Sequence, residues 1–363
     1  MPRKESPGTE ADKRFMEMAF AEARKVKGST LPNPAVGAVV VKGGQVLGLG
    51  GTRPAGQAHA EIVALEKAGR KAEGATLYVT LEPCCHFGRT PPCTDAILAA
   101  GIRKVVVSVR DRNPLVGGEG LKRLREAGLE VREGVAEEEG EEFYEGFFFR
   151  ILHGRPKILI KIAQSLDGRI NARPGEETAI TGEKAQVFTH RLRSRVDAVL
   201  VGGNTVRVDD PDLTPRLMPQ ATGRGPEALV LSRRGTFEPA LRLFAEGRKA
   251  KTVVLSREMG SLPPWVDRAQ VMGEGRETLE SLLVVFKERG YHSVLIEGGR
   301  EVWSLFLDAG LWDRLYIVTA PKVFPEGERW DLGLPKTWGK SLKFRKFTSL
   351  GEDCLAEFGR SES

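Results

Sequence analysis

Three residues of this chain could hold a metal ion, and they lie in two short polar segments. His59 opens the segment His59-Ala-Glu61, whereas Cys84 and Cys93 belong to the segment 82–93. One imidazole and two thiolates are ligands that Zn²⁺ prefers, and three protein ligands leave a fourth position open for water. Zinc lowers the pKa of such a water to near neutrality, which makes the water a nucleophile. The pattern therefore predicts a catalytic site with one zinc ion per chain.

Glu61 lies two residues after His59 and is not expected to be a ligand. In zinc-dependent nucleobase deaminases, the signature H-x-E…P-C…C contains a Glu that carries protons from the attacking water to the leaving amine. His59, Glu61, Pro83, Cys84 and Cys93 fit that signature. We therefore interpret the segments as a deaminase site with Glu61 as its catalytic acid and base.

Other interpretations of these residues stay open at the level of sequence. Cys84 and Cys93 could be buried apolar thiols, with His59 capping a helix. A structural zinc would need a fourth protein ligand, which Cys85 or His86 could supply. Cys85 also makes the choice of ligand ambiguous, and we predict Cys84 because it directly follows a proline.

The composition is typical of a soluble globular protein with two domains. The 363 residues exceed one ordinary core, with 40% hydrophobic and 29% charged residues. We find no run of 18 apolar residues and no secretory signal, so no membrane association is expected. Three of the four cysteines cluster, which favours metal chemistry in a reducing cytoplasm. The remaining one, Cys354, is predicted to be a strand residue without a chemical role.

The charge favours small anionic ligands over nucleic acid. A net charge of +6 is modest for this length and fits a phosphorylated substrate. Basic runs interleaved with aromatic residues are missing, and aromatic residues make up only 7%, so no nucleic-acid partner is expected. The acidic run Glu137–Glu142 is interpreted as a solvated helix face.

Alternating strands and helices predict two α/β domains after a disordered tail at residues 1–11. In the first domain we predict helices at 12–27, 59–68, 94–100 and 119–127, and strands at 36–41, 46–49, 76–81, 104–109 and 129–133. A boundary near His153–Pro156 precedes the second domain. There we predict strands at 157–163, 196–201, 229–231, 252–255, 293–296 and 315–320, helices at 182–194, 276–289 and 300–309, and sheet in the last twenty residues. His59 and Cys93 would each start a helix, so two helix dipoles would favour thiolate at the zinc site.

Three polar segments of the second domain could form a site. Lys161–Gly168 ends a strand, Gly202–Arg216 follows a buried strand, and Glu297–Glu301 joins a strand to a helix. The glycines of the last segment could let backbone N–H groups approach an anion at a helix N-terminus. No GxGxxG motif supports a standard dinucleotide fold, and each segment alone could be ordinary turn chemistry.

From about residue 12 to its C-terminus, the chain resembles the bifunctional riboflavin-biosynthesis deaminase/reductases. The first-domain motifs are Pro32-Asn33-Pro34-x-Val36-Gly37, His59-Ala-Glu61, Glu82-Pro-Cys84, Gly88-Arg-Thr-Pro-Pro-Cys93 and Asp111-x-Asn113-Pro114. The second-domain motifs are Ser165-Leu-Asp-Gly168, Asp209-Asp-Pro-x-Leu-Thr-x-Arg216 and Glu297-Gly-Gly299. The stretch 88–93 is the most specific, because other deaminases of this fold usually have a short P-C-x-x-C.

The resemblance implies an α/β protein with a cytidine-deaminase-like α/β/α sandwich at 12–153 and a dihydrofolate-reductase-like domain at 155–363. The first domain would use zinc to deaminate 2,5-diamino-6-(5-phosphoribosylamino)pyrimidin-4-one. The second would use NADPH to reduce the ribosyl side chain to ribityl. A cytoplasmic homo-oligomer acting on this small phosphorylated pyrimidine is expected.

By the same resemblance, particular residues match known binding positions. The deaminase substrate positions are Asn33, His86, Arg89, Asp111 and Asn113. The reductase substrate positions are Glu177, Arg193, Leu213, Arg216 and Glu297. The cofactor positions are Ala163, Ala179, Thr205, Asp209, Ser232, Gly299, Arg300, Glu301, Val302, Trp303, Ser304 and Leu305. Lys161 and Asp167 are polar groups beside the reductase site. Considered singly, Asn33 could instead be a turn residue, Arg89 a solvated charge and Asp111 a helix cap.

Two positions depart from the family pattern. Thr52 stands where the family often has His, and Ala179 where it often has Trp, so one substrate contact and one packing surface near the nicotinamide differ. Arg233 and Arg234 follow a predicted strand and could hold the 2′-phosphate of NADPH, or could be solvated turn residues. The competing functions are a tRNA adenosine deaminase or other nucleobase deaminase with an accessory domain, and a non-catalytic binding module.

Overall fold

The computed structural model describes residues 8–88, 90–113, 117–218, 223–248, 250–258, 260–330 and 342–360. The chain divides into two compact units, the first formed by residues 1–154 together with 220–224, and the second by residues 155–219 and 225–363. Arg89 and Pro114, which belong to predicted deaminase motifs, lie outside the described residues. Across the described ranges, no helix combines the length and the apolar character that a membrane span needs.

The first unit is built on a five-stranded sheet in the order β2-β1-β3-β4-β5. Its strands are β1 (Gly37–Lys42), β2 (Gln45–Gly51), β3 (Thr76–Leu81), β4 (Lys104–Val109) and β5 (Glu130–Arg132). β1 is antiparallel to β2 and β3, whereas β3, β4 and β5 are mutually parallel. β3 and β4 are buried along almost their whole length, as expected for parallel strands that helices cover on both faces.

The described part of this unit contains five α-helices, and two of them carry residues of the predicted zinc site. They are α1 (Glu10–Val26), α2 (Ala60–Ala68), α3 (Cys93–Ala99), α4 (Glu119–Glu126) and α5 (Glu137–His153). α2 packs closely on β2, where a Cβ atom added at Gly48 or Gly50 would lie 2.1 or 2.2 Å from a helix carbonyl oxygen. Glycine at these two positions therefore sets the depth of the helix that bears Glu61.

Most predicted elements of the first unit are found within two residues of their expected bounds. The expected helix starts are confirmed, since His59 is the N-cap of α2 and Cys93 is the first residue of α3. The tail prediction is wrong at its end, because α1 already begins at Glu10. Thr9 and Asp12 form a capping box there, in which each side chain pairs with the other's backbone N–H.

The acidic run at 137–142 belongs to a longer helix than the sequence pattern indicated. α5 continues to His153 and buries Tyr144 and Phe148. Tyr144 and Phe148 lie on its buried face, whereas the acidic residues of its first turn lie at the positive end of the helix dipole.

The second unit contains a nine-stranded sheet in the order β10-β9-β8-β7-β11-β6-β12-β14-β13. Its strands are β6 (Lys157–Ser165), β7 (Ala198–Gly202), β8 (Glu227–Ser232), β9 (Thr252–Ser256), β10 (Asp267–Gln270), β11 (Ser293–Gly298), β12 (Arg314–Ala320), β13 (Leu342–Leu350) and β14 (Asp353–Arg360). The strands from β10 to β12 are parallel, and β14 and β13 continue the sheet antiparallel. Parallel strands end at one edge, where ligands bind in open α/β sheets.

Four helices connect these strands: α6 (Glu183–Arg195), α7 (Gly203–Asp209), α8 (Arg276–Glu288) and α9 (Arg300–Asp308). Two short elements, α7 and β10, were not predicted. α7 opens on Gly203, a poor helix former, and β10 reads Asp-Arg-Ala-Gln without an apolar run. Cys354 lies in β14, where it is exposed.

Candidate active sites

The three predicted zinc ligands come together although 34 residues separate the first from the last. His59 Nδ1 lies 3.3 Å from Cys93 Sγ and 3.6 Å from Cys84 Sγ. Zn–N and Zn–S bonds of about 2.0 and 2.3 Å in a tetrahedron place N and S ligands about 3.6 Å apart. The three atoms therefore have the spacing that a zinc ion requires.

The residues that belong to this group bear on two questions, whether a fourth protein ligand is present and whether Cys84 or Cys85 is the ligand. The ligand atoms of His59, Cys84 and Cys93 lie within 4.8 Å of one another, and among the described residues no further His, Cys, Asp or Glu joins them. Cys85 and His86 are thus outside the group. Three ligands suit a site with an open position, and a structural zinc usually has four.

The two thiols of the group differ in their affinity for protons. The hydrogen bond with Cys93 lowers the pKa of Cys84 to about 4, with a further contribution from His59. The same contact and burial raise the pKa of Cys93. The backbone N–H of Cys93 also donates to Cys84 Sγ at 3.3 Å. Zinc binding displaces the proton of the remaining thiol, so the affinity of the site for zinc depends on pH.

Glu61 is buried in the first turn of α2, two residues beyond the His59 cap. Burial raises the pKa of Glu61 to about 7, and the charge of Cys84 acts in the same direction. A bound cation would lower this pKa. Buried beside the metal group, the Glu61 carboxylate can accept a proton and return it, as a general acid and base must.

The predicted deaminase substrate residues differ in their burial and in their contacts. We call the loop between β3 and α3, which carries Cys84, the metal loop. Asp111 follows β4; burial raises its pKa, and the charges of His86 and Cys84 also act on it. His86 is exposed on the metal loop. The backbone N–H of Asn113 donates to Asp111 Oδ1 at 2.8 Å. Asn33 is half-buried before β1, and Arg89 lies outside the described residues.

Thr52, the departure in this domain, has a structural contact instead of a free side chain. Its hydroxyl accepts a hydrogen bond from the backbone N–H of Val36 at 3.2 Å, and its own N–H donates to the Val36 carbonyl at 3.0 Å. Thr52 therefore fixes the start of β1, just after Asn33-Pro34.

A cavity of about 1680 Å³ in the second unit is lined by every residue that the family resemblance assigned to the reductase substrate and cofactor positions. Lys161 also lines it. Asp167 does not; its carboxylate accepts hydrogen bonds from Ser165 Oγ and the backbone N–H of Phe324. The volume exceeds that of typical single-ligand sites, which hold about 300–1,000 Å³, and so can accommodate a dinucleotide and a second ligand.

A buried ion pair forms part of this cavity wall. Arg193 donates to both oxygens of Glu297 at 2.6 and 2.7 Å, and their side chains are 11% and 7% exposed. Burial lowers the pKa of nearby Lys161, and the charge of Glu297 opposes that effect. Paired in this way, Arg193 keeps its charge inside the protein, where an unpaired ion would be costly.

Backbone features at the strand ends shape the same cavity. A Cβ atom at Gly298 would lie 2.9 Å from Thr205 Cγ2, and Gly299 has a φ of 88° as the N-cap of α9. Leu213 is buried and has a φ of 61°, a left-handed conformation that costs a non-glycine residue about 1 kcal/mol or more. Such conformations occur preferentially at binding sites.

His190 and Arg257 are among the lining residues that sequence reasoning missed. His190 lies on α6 one turn before Arg193, and burial lowers its pKa to about 4. Arg257 follows β9 and pairs with Glu274 at 2.7 Å. The spacing of His190 and Arg193 on one helix face was a usable signal, whereas Arg257 carried none. Of the two arginines proposed for a 2′-phosphate, Arg233 is among the lining residues and Arg234 is not.

The geometry of the metal group makes a prediction about Cys84 and its neighbour. Cys84→Ser should lose stoichiometric zinc, because a hydroxyl is a poor substitute for a thiolate ligand. Cys85→Ser, the matched control one residue away, should retain one zinc per chain. Metal analysis of the purified proteins distinguishes them, and the opposite result would replace Cys84 by Cys85 as the ligand.

Both units match known protein families. Residues 9–109 match the cytidine and deoxycytidylate deaminase zinc-binding region, and residues 156–356 match the RibD C-terminal domain. The predicted fold class is confirmed, with a cytidine-deaminase-like domain followed by a dihydrofolate-reductase-like one. The first domain binds zinc.

Curated relatives match this chain over nearly its full length. The riboflavin biosynthesis protein RibD of Aquifex aeolicus is 43% identical over 361 residues, which cover 97% of this chain and 99% of the relative. The Escherichia coli protein of the same name is 37% identical over 95% of this chain and 98% of the relative.

Solved structures agree with these relatives. RibD of Acinetobacter baumannii, form 1, is 33% identical with a TM-score of 0.74, covering 97% of this chain and 99% of that chain. A Thermotoga maritima diaminohydroxyphosphoribosylaminopyrimidine deaminase/5-amino-6-(5-phosphoribosylamino)uracil reductase is 37% identical with a TM-score of 0.74 and the same coverage.

These matches do not favour a tRNA or other nucleobase deaminase with an accessory domain, because the second unit belongs to a reductase family of its own. The non-catalytic alternative loses its basis for the same reason. The chain belongs to the RibD family, the bifunctional deaminase/reductases of riboflavin biosynthesis.

Proposed function

We propose that the chain carries out two consecutive reactions on one small phosphorylated pyrimidine. The first replaces an amine of 2,5-diamino-6-(5-phosphoribosylamino)pyrimidin-4-one by oxygen and releases ammonia. The second reduces the ribosyl side chain of the resulting 5-amino-6-(5-phosphoribosylamino)uracil to ribityl. The Thermotoga relative, named for both activities and matching 97% of this chain, supports the assignment.

The observation that carries the proposal for the first reaction is the buried Glu61 beside a three-ligand metal group. His59, Cys84 and Cys93 would hold zinc, which supplies Lewis acidity that lowers the pKa of a coordinated water. Glu61 takes a proton from the attacking water and delivers it to the nitrogen of the leaving amine. Asp111 and Asn33 are the polar groups that we assign to the pyrimidine edge.

For the second reaction, a hydride must reach the ribosyl C1′ and a proton must reach the ring oxygen that leaves this carbon. NADPH supplies the hydride when it is bound. Lys161 and Asp209 line the cavity, and we assign them to hold and deliver this proton. Burial lowers the pKa of Lys161, and it raises the pKa of Asp209 to about 6 with a contribution from Glu177.

Arg193 and Arg216 are cations of the cavity lining, and we assign them to contacts with the anionic substrate. Glu297 orients Arg193 through two hydrogen bonds, so its guanidinium is held in place before substrate arrives. The lining residues 299–305 at the start of α9 are assigned to the cofactor, because helix N-termini favour phosphate groups.

A coupled assay tests the two-step proposal. With the diamino pyrimidine alone, the wild-type chain should release ammonia; with NADPH added, it should also oxidise NADPH and yield the ribityl product. An RNA substrate should release no ammonia. Ammonia released from RNA but not from the pyrimidine would favour the nucleic-acid alternative and contradict the proposal.

Glu61→Gln should lower the rate of deamination by about 10²–10⁴-fold, which is the usual contribution of a general acid and base. The variant should keep its zinc, since Glu61 is outside the ligand group. It should also reduce the already deaminated pyrimidine at the wild-type rate, which serves as the control for folding. Retained deamination, or loss of zinc, would contradict the role assigned to Glu61.

The cavity also predicts which arginine sets the preference for NADPH over NADH. Arg233→Ala should lower the NADPH/NADH ratio of kcat/KM by about tenfold to a hundredfold, because one charge-assisted phosphate contact contributes about 1.5–3 kcal/mol. Arg234→Ala is the matched control and should leave the ratio unchanged, since Arg234 is not among the lining residues. A wild-type ratio near one would remove both arginines from the cofactor site.

We also retain the sequence-based expectation that the chain acts in the cytoplasm as a homo-oligomer without a nucleic-acid partner. Its modest net charge and low aromatic content support the last point.

A further inference from the structure

Glu82 is a buried carboxylate that the deaminase chemistry does not use. It follows β3 directly and precedes the ligand Cys84 by two residues. Its own backbone N–H donates to the carbonyl of Val109 at 3.0 Å, which extends the pairing of β3 with β4 by one residue. A charged group is rarely buried without partners, so its contacts indicate what it stabilises.

Both oxygens of Glu82 are occupied by backbone N–H donors. Oε2 accepts hydrogen bonds from Asp111 at 3.2 Å and Gly118 at 2.9 Å. Oε1 accepts hydrogen bonds from Gly120 at 3.0 Å and Leu121 at 3.3 Å. All four donors belong to the chain that follows β4. One side chain therefore contacts that part of the chain at four backbone positions.

Three of these donors lie at the start of α4, where Gly118 is the N-cap. The first N–H groups of a helix have no partner within the helix, and a carboxylate is the best acceptor for them. No side chain of α4 itself caps this end. Glu82 therefore caps the helix from the metal loop, across 36 residues of sequence.

The close packing of α4 on this loop leaves little freedom. A Cβ atom at Gly120 would lie 2.2 Å from the carbonyl oxygen of Pro83, and one at Gly117 would lie 2.4 Å from that of Asp111. Arg123 of α4 forms an ion pair with Asp95 of α3, the helix that Cys93 begins. The metal loop and the segment after β4 are thus connected at several points, with Glu82 at their centre.

The fourth donor connects Glu82 to a residue assigned to the substrate. Asp111 donates its N–H to Glu82, and Asp111 Oδ1 accepts the N–H of Asn113 at 2.8 Å. In addition to the strand pairing, the Glu82 carboxylate thus fixes the position of Asp111 relative to Cys84. An error of 1 Å in such a position can cost a large factor in activity.

We propose that Glu82 is a positioning residue of the deaminase, which holds Asp111 and Asn113 at a fixed place relative to the metal loop. The proposal rests on the proposed function, because it assumes that Asp111 binds the pyrimidine. Glu82 contacts neither substrate nor metal; it acts through the backbone of Asp111. Glu rather than Gln is required, since only a carboxylate offers acceptors on both oxygens to four donors.

The test is Glu82→Gln, and the matched control is Glu126→Gln, an exposed glutamate of α4, the helix that Glu82 caps. Glu82→Gln should raise KM for the diamino pyrimidine by about tenfold to a hundredfold, the effect of losing charge-assisted hydrogen bonds. Zinc content and the reduction of the deaminated pyrimidine should stay at wild-type values. Glu126→Gln should match the wild type throughout.

A double-mutant cycle shows whether Glu82 acts through Asp111. If it does, the double variant Glu82→Gln/Asp111→Ala should have a KM no higher than that of Asp111→Ala alone. Effects that multiply would overturn the proposal. So would a lowered melting temperature with unchanged KM and kcat, which is the signature of a role in stability alone.

Should Glu82→Gln lose zinc, the shorter carboxylate of Glu82→Asp replaces it in the same measurements, and zinc loss there too overturns the proposal. Wild-type turnover of the diamino pyrimidine is measured first. Its absence would contradict the proposed function, whereas normal wild-type turnover with an unaltered KM in the variants contradicts only the positioning role.

Discussion

The parallel pairing of β3 with β4 is the interaction on which the deaminase site depends. Their register places Leu81 beside Val109, so the two strands end together and release the metal loop and the Asp111 segment at the same edge. Both strands are buried, and their backbone groups are satisfied within the sheet. Cys84 and Asp111 can then lie on loops, while the sheet supplies the rigidity that catalysis needs.

In the second unit, too, the candidate site lies where neighbouring parallel strands end at one edge of the sheet. Four parallel strands are consecutive neighbours in the order β8-β7-β11-β6. Residues at or after their ends line the large cavity. Charges there are kept in place by partners, as with Arg193 and Glu297, because an unpaired ion would not remain buried. Two unrelated chemistries thus follow from one property of parallel sheets, the meeting of strand ends at one edge.

Residue type and spacing were sufficient to predict which side chains form the metal group, but not which groups position its surroundings. The grouping of His59, Cys84 and Cys93 could be predicted, with Glu61 beside it, because few other functions need those residue types in that order. The role of Glu82 could not, since its four donors lie 29 to 39 residues away. Arg257 was missed for the same reason, since its place at the cavity follows from strand order and not from any local pattern.

Local signals decided where the fold prediction succeeded or failed. Buried valine-rich strands such as β4 were found at their true bounds, whereas β10, with a single apolar residue, was not. The start of α1 was misplaced because its capping box, Thr9 and Asp12, was taken as part of a disordered tail. These errors concern short or terminal elements, where packing against the rest of the protein outweighs propensity.

The central claim is that one chain holds two chemically independent active sites, one that needs metal and one that does not. Removing zinc from the purified protein with a chelator, then assaying both reactions, tests it most directly. Deamination of the diamino pyrimidine should disappear and return when zinc is restored, while NADPH-dependent reduction of the deaminated pyrimidine should continue unchanged. Loss of both activities, or deamination by the zinc-free protein, would contradict the account.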